Sequence, residues 1–230
     1  MWCLMKLKVL GSGSSGNCYI LESEAEALII ESGLPFIKVK KALDFNVRKI
    51  VGVICSHAHK DHSGYISEYE KAGIPVFKPY ESEMELQVRT YEGFVVKPFP
   101  LVHDIACYGF YVAEPSMGSL IYASDTEYVK WRFKNSNHIL VEANYAKEFF
   151  CDVDAGSAKR DHVLTGHMEI ETTCEFLKAN NNPTLRNVVL CHLSRSNADV
   201  EQFKAKAQKV VNCPVYVADE GLEVDLDFPF

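Results

Sequence analysis

The 230-residue chain holds 47% hydrophobic and 24% charged residues, a balance that excludes an intrinsically disordered protein and suits one well-buried domain over residues 1–230. Its formal net charge of −7 argues against a tight, sequence-independent binder of polyanions, although divalent ions held at one site would offset part of that charge locally. No run approaches the roughly 20 apolar residues that cross a bilayer, and the opening MWCLMKLKVL lacks the basic-then-apolar order of a signal peptide, so a cytoplasmic protein without a membrane partner is expected, with Met5 a candidate functional start.

LKVL from Leu7 and CYILES from Cys18 read as strands around the Gly/Ser loop GSGSSGN, Gly11 to Asn17. That loop reads equally as a hairpin turn and as a nest of backbone N–H groups for an anion. ALIIESG is a third strand ending at Gly33, and Pro35 opens a short helix with Phe36, Val39 and Leu43 on one face. KIVGVICS is a nearly continuous apolar run, hence a buried strand. It delivers His57 at its C-terminal end, where α/β architectures place their chemistry. A helix near YISEYEKAG, a short strand at IPVF and a helix from Glu81 to Arg89 follow, then strands at FVVKPFPLVH, YGFYVAE, SLIYASD and HILVEAN. EIETTCEFLKAN carries Ile170, Cys174 and Leu177 at helical spacing, and VVLCHLS is another buried strand. ADVEQFKAKAQKVV sets Val200, Phe203, Ala207 and Val210 on one helical stripe, and CPVYVADEGLEVDL closes with strands. Strands precede helices twice, in halves of similar size. The pattern predicts an α/β protein with two packed sheets and helices outside, a four-layer αββα sandwich.

The eight cysteines are scattered without a CxxC pair and read as reduced, buried apolar residues. The histidines are not scattered. SHAHKDHSG, Ser56 to Gly64, packs three histidines and an aspartate into six positions. His57 and His59, two apart on an extended segment, point to the same side, and Asp61 and His62 follow on the turn, able to face a second ion. Imidazole nitrogen with carboxylate oxygen suits zinc, manganese or iron and disfavours magnesium or calcium. His103 in PLVHD, Asp125 in YASDTE and His192 in LCHLSRSN each follow a predicted strand, so each can come to the same sheet edge.

The order HxHxDH, then His103, Asp125 and His192, resembles the metallo-β-lactamase superfamily of metal-dependent hydrolases over essentially the whole chain. The resemblance implies the αββα fold and two divalent metal ions per chain, Zn or Mn. His57, His59 and His103 would hold the first, Asp61, His62 and His192 the second, and Asp125 would bridge them, with a metal-bound hydroxide as nucleophile. Where the family usually has an aspartate before a glycine turn, IIESG offers Glu31, one methylene longer. Glu31 reads either as a carboxylate that orients a ligand histidine from behind or as a surface residue.

The superfamily spans many hydrolytic reactions. A phosphodiesterase differs in needing a proton donor for its poor leaving group. VLTGHMEIETTCEFL places His167 at the start of a helix and ILVEANY places Glu142 at a strand end; a carboxylate beside an imidazole holds its tautomer and raises its pKa. These stretches resemble those of ribonuclease Z-like phosphodiesterases, which implies catalytic roles for Glu142 and His167; Asp61 of the HxHxDH strip is a further catalytic candidate. A capping histidine with an unrelated glutamate is the other reading. KLKVLGSGSSGNCYI, GHM and CHLSRSN most resemble the YycJ/WalJ-like branch, which is associated with 5′-to-3′ exonuclease activity on single-stranded DNA. Ser194 and Asn197 would touch a substrate phosphate, and Arg195 would do so or stay solvated. The late basic residues Lys159, Arg160, Arg186, Lys204, Lys206 and Lys209 are outnumbered by acidic ones, and His138 and His162 read as structural or solvent-exposed.

The expected function is a dinuclear metal-dependent phosphodiesterase, a nuclease whose partner is nucleic acid as single strands or ends. A small-molecule phosphodiesterase acting on a cyclic nucleotide or ribosyl phosphate would fit the acidic charge better. A non-catalytic metal-binding regulatory protein is the third reading, and only Glu31 points that way.

Overall fold

A computed structural model describes residues 5–82, 85–150 and 164–227. The readings of Lys159, Arg160 and His162 lie outside the described residues.

Strands that are apolar at every position need cover on both faces, and the alternation along each strand here divides that cover between two environments. Tyr19, Leu21, Leu28 and Ile30 face one way and pack with Leu120, Tyr122, Leu140 and Val189. Their neighbours Ile20 and Ile29 face the other way, against Phe36, Val39 and Tyr69. Ile121, Ile139 and Val141 do the same on the second sheet, against Ile170, Leu177 and Phe203. The outcome is two mixed sheets face to face with helices on their outer sides, the αββα sandwich expected from the chain.

In the first sheet the order is β13 (Glu223–Asp225), β1 (Lys6–Gly11), β2 (Cys18–Glu22), β3 (Ala27–Ile30), β4 (Ile50–Ile54) and β5 (Val76–Phe77). β1, β2 and β3 pair antiparallel, and β3, β4 and β5 pair parallel. In the second sheet β12 (Val215–Val217), β11 (Asn187–Cys191), β10 (His138–Glu142) and β9 (Gly118–Ala123) run parallel. β8 (Tyr108–Glu114), β7 (Phe94–Pro100) and β6 (Arg89–Tyr91) extend it antiparallel. Helices α1 (Phe36–Ala42) and α3 (Ile66–Lys71) cover the first sheet, and α4 (Ile170–Asn180) and α5 (Val200–Gln208) cover the second. A single helical turn, α2 (Lys60–Ser63), carries Asp61 and His62.

Two local expectations are corrected. The helix expected from Glu81 to Arg89 is absent among the described residues. Pro79–Glu81 makes one 3-10 turn, residues 85–88 are irregular, and Arg89 begins β6. The two-residue turn at Glu92 and Gly93 folds β6 onto β7 with Tyr91 opposite Phe94, and Tyr91 packs against the central core, so tertiary pairing overrides local spacing. His167 does not open α4: the cap is Glu169, whose side chain accepts from the Glu171 N–H, and His167 lies in the segment before it.

No described helix is long and apolar enough to cross a membrane.

Candidate metal centre

Three strand ends turn into one edge of the sandwich by the same backbone device. Glu31 after β3, Asp125 after β9 and His192 after β11 adopt φ of 65°, 52° and 54°, the left-handed region that non-glycine residues rarely occupy. Such conformations cost of order 1–3 kcal/mol each and concentrate where side-chain direction matters. The strip after β4 is seated by close contact: a Cβ on Gly33 would stand 1.7 Å from the Asp61 carbonyl oxygen, so only glycine lets the turn bearing Asp61 pack there.

The seven residues of the ligand reading converge. Ligand atoms of His57, His59, His103 and Asp125 lie within 4.8 Å of one another, and so do those of Asp61, His62, Asp125 and His192. Nδ1 of His59 stands 3.1 Å from Nε2 of His57 and 3.2 Å from Nε2 of His103. Nε2 of His62 stands 3.1 Å from Oδ1 of Asp125, and Nε2 of His192 stands 3.4 Å from Oδ2 of Asp61. Asp125 belongs to both groups: Oδ2 is 3.9 Å from His57, while Oδ1 faces His62 and, at 3.7 Å, His192.

This donor set fits divalent cations. His103 donates from Nδ1 to the Gly166 carbonyl at 2.9 Å, so its neutral ring keeps a lone pair on Nε2, aimed at the other imidazoles. Lone pairs gathered this closely repel unless a positive ion lies among them. A tetrahedral ion with bonds of about 2.0–2.1 Å sets its ligand atoms about 3.3 Å apart, which is the spacing of these pairs. Protons and carboxylates share the space otherwise. Burial would raise the Asp125 carboxyl, but His192, His62 and His57 outweigh it and hold the group well below the usual carboxylate range. Burial would lower His192, but Asp125, Asp61 and Glu142 push it up to about 10. Burial holds His57 well below its ordinary value, and the neighbouring His62 adds to that. Protons held on such rings are what a metal displaces on binding.

Behind the ligand groups, Glu31 is fully buried. Its two carboxylate oxygens accept from the Ser56 N–H at 3.2 and 3.3 Å, and Oε1 lies 3.4 Å from His62 Nδ1. Glu142, buried at the end of β10, brings Oε1 to 2.7 Å from His167 Nδ1 and 3.1 Å from His192 Nδ1. Its Oε2 accepts from the N–H groups of Thr126 and Met168. Burial would lower His167, but the Glu142 carboxylate outweighs it and raises the ring. Ser194 and Asn197 line a cleft of about 550 Å³ with His59, Asp61, His167 and Arg195. Arg195 also reaches Ser15 Oγ at 3.4 Å, and the loop holding Ser15 joins antiparallel β1 and β2, so the Gly/Ser segment is a hairpin connection. His138 is buried within the fold and lies away from the cleft.

Four neighbours of the centre carry little signal in the sequence. Asn144 lines the cleft and donates from Nδ2 to the His192 carbonyl at 2.8 Å; its position two residues beyond Glu142 was the available signal. Asn17 is buried with Nδ2 2.9 Å from His62 Nε2. Asp104, adjacent to His103, has Oδ1 3.0 Å from its Nε2. Cys107 places Sγ 3.6 Å from His57 Nδ1, and nothing in its local sequence marks it.

Comparison with known proteins gives a consistent picture. The family model described as the Metallo-beta-lactamase superfamily matches residues 11–126. Over 250 aligned residues the chain is 24% identical to the Exodeoxyribonuclease WalJ of Streptococcus pneumoniae, covering 96% of this chain and 91% of that protein. It is 23% identical over 249 residues to the Exodeoxyribonuclease YycJ of Bacillus anthracis, covering 96% and 94%. The crystal structure of the metallo-beta-lactamase fold protein YhfI from Bacillus subtilis superimposes with a TM-score of 0.72 at 17% identity, over 96% of this chain and 99% of that one.

Proposed function

The chain belongs to the metallo-β-lactamase superfamily of hydrolases, and from that premise we propose that it is a dinuclear metal-dependent phosphodiesterase, a nuclease that trims single-stranded DNA or nucleic-acid ends in the 5′-to-3′ direction. The observation that carries the reading is the Asp125 carboxylate, shared between a His57, His59 and His103 group and an Asp61, His62 and His192 group. Two relatives of nearly the same length bear the name exodeoxyribonuclease, which supports the substrate class. The whole chain acts as one hydrolase domain. Its described cysteines are buried and unpaired, which suits the reducing cytoplasm.

His57, His59 and His103 would hold one zinc or manganese ion and Asp61, His62 and His192 another, with Asp125 on both. When bound, such ions would supply Lewis-acid chemistry, lowering the pKa of a water and neutralising charge on a phosphoryl group. The remaining steps belong to the chain's own side chains. Glu142 fixes His167 with Nδ1 toward the carboxylate, so Nε2 is the atom that holds a proton at the cleft and passes it to the departing oxygen. Ser194 and Asn197 hydrogen-bond the phosphate oxygens from the cleft wall, and Arg195 adds positive charge at the rim. Glu31 keeps the strip in register through the Ser56 amide.

The test is hydrolysis by metal-loaded protein. Bis-p-nitrophenyl phosphate and 5′-phosphorylated single strands should be cleaved, while a nitrocefin-type lactam should not. Cleavage of cyclic nucleotides with no action on single strands would replace the nuclease reading with a small-molecule phosphodiesterase. No hydrolysis of any of these by protein with its metals bound would leave a regulatory metal-binding protein.

A further inference from the structure

Directly after Asp125 the chain reads TEYVKWRFK, in which aromatic and basic residues interleave. Within it Val129 and Phe133 turn inward against the core of the second sheet, while Tyr128, Lys130, Trp131, Arg132 and Lys134 are exposed. Tyr128 and Trp131 are 44% and 43% exposed, so both rings are open to solvent. The segment is also fixed in place. The Thr126 N–H donates to Glu142 Oε2, the Glu127 N–H to the Val102 carbonyl, and the Phe133 N–H to Asn180 Oδ1 at 2.7 Å. Trp131 Nε1 donates to the Pro100 carbonyl at 3.0 Å, so the polar atom of the indole is satisfied and what remains to meet a ligand is ring.

The charges around this strip run against the chain's net charge of −7. Lys97, Lys130, Arg132 and Lys134 have no described carboxylate within the 4.0 Å of a salt bridge. Trp131 and Arg132 stand between two shallow grooves. One of about 450 Å³ is bordered by Lys97 and Phe99, and one of about 310 Å³ by Tyr128 and Lys130. Glu175 borders the smaller groove and Glu127 lies in the strip itself, leaving the cations in excess.

We propose that residues 128–134 form a stacking track for single-stranded nucleic acid, which guides an unpaired strand to the metal centre. Bases of a single strand offer their faces to Tyr128 and Trp131, and the intervening phosphates meet Lys97, Lys130, Arg132 and Lys134. In a duplex the base faces are stacked on one another, so the same strip can meet only its backbone. The strip is tied to the segment that leads into the ligand His103, through the Glu127 N–H on the Val102 carbonyl and the Trp131 indole on the Pro100 carbonyl, so a strand lying on it would approach the metal centre beside that segment. This inference rests on the phosphodiesterase reading and assigns that site its substrate form.

The test measures binding by the metal-loaded full chain, using a labelled single strand with a phosphorothioate backbone to slow cleavage, alone and annealed to its complement. In a Trp2→Phe background Trp131 is the sole tryptophan, and its fluorescence should be quenched by the single strand. Trp131→Ala should weaken single-strand binding roughly 5- to 150-fold, the range for loss of one base–aromatic stack. Trp131→Phe, which keeps a ring, should retain most of it, and the annealed probe should bind far more weakly than the single strand. Wild-type affinity in Trp131→Ala and Tyr128→Ala, equal loss in Trp131→Ala and Trp131→Phe, or equal binding and quenching by the duplex would each overturn the track. Hydrolysis of bis-p-nitrophenyl phosphate by the wild-type protein reads the chemistry separately, so the track can fail while the phosphodiesterase reading stands.

Discussion

Glu142 Oε1 stands 2.7 Å from His167 Nδ1, and both groups are buried against the cleft wall. A proton donor of this kind matters in proportion to the leaving group's need for a proton. His167→Ala should slow hydrolysis of alkyl phosphodiesters by about 10²- to 10⁴-fold while changing activated p-nitrophenyl esters much less. Equal losses across a leaving-group series would remove the donor role. Glu142→Gln should go further, because the same oxygen also lies 3.1 Å from His192 Nδ1. It is expected to weaken metal binding by about 10- to 100-fold as well as activity, the usual effect of losing a partner behind a ligand histidine. Metal titrations of the variant decide this.

The shared carboxylate makes a stoichiometric prediction. Elemental analysis of reconstituted protein should give about two ions per chain, His103→Ala about one, and Asp125→Ala less than wild type at both positions. Removing the ions with a chelator should also destabilise the fold, since they bind only the native arrangement. At free metal about 100 times Kd the loss is about 2.7 kcal/mol for each ion, so about 5.4 kcal/mol for the pair and a fall in Tm of roughly 10–20 °C for a chain of this size. An unchanged melting curve after complete metal removal would contradict a site built by the fold.

Much of this was open to reading from the chain, and the exceptions share a cause. His57, His59, Asp61 and His62 announce themselves because their spacing is local, and His103, Asp125 and His192 because each follows a run that is plainly a strand. The αββα layering follows from strands apolar on both faces, as in KIVGVICS. The Glu142–His167 contact joins residues 25 apart, and no periodicity predicts such adjacency. Asn17 and Cys107 were illegible for the same reason: their importance lies in what long-range packing sets beside them. The spacing around Arg89 favours a helix, but its strand is stabilised by a partner, β7, and not by local spacing.

Glu31 tests whether the longer carboxylate is an adaptation or a tolerated change. It is fully buried, takes the Ser56 N–H and lies 3.4 Å from His62 Nδ1. Glu31→Ala should leave that amide without an acceptor, a loss of about 1–3 kcal/mol, and lower metal affinity about 10- to 100-fold. Glu31→Asp withdraws the oxygens by one methylene and should recover only part of each. Urea unfolding and metal titration of the three proteins give the comparison; full recovery by aspartate would mean the strip adapts to either length.

His138 gives a pH dependence independent of the metal centre. Its Nε2 donates to the Met117 carbonyl at 3.1 Å, and its Nδ1 faces the Asn187 amide at 3.2 Å, so the neutral ring is satisfied and a second proton would meet another donor. Burial is the main cause that lowers its pKa from 6.5 to about 4, with the Met117 carbonyl opposing in part. Between those values the unfolded chain binds the proton and the folded chain does not. The folded state is therefore unpenalised above pH 6.5 and loses stability as pH falls toward 4, by on the order of 3 kcal/mol in total. Urea midpoints of chelated wild type and His138→Gln, taken from pH 7 to 4.5, should diverge at neutral pH by whatever the substitution costs and converge as the pH drops. Parallel curves across that interval would show that His138 protonates as freely in the folded chain as in the unfolded one.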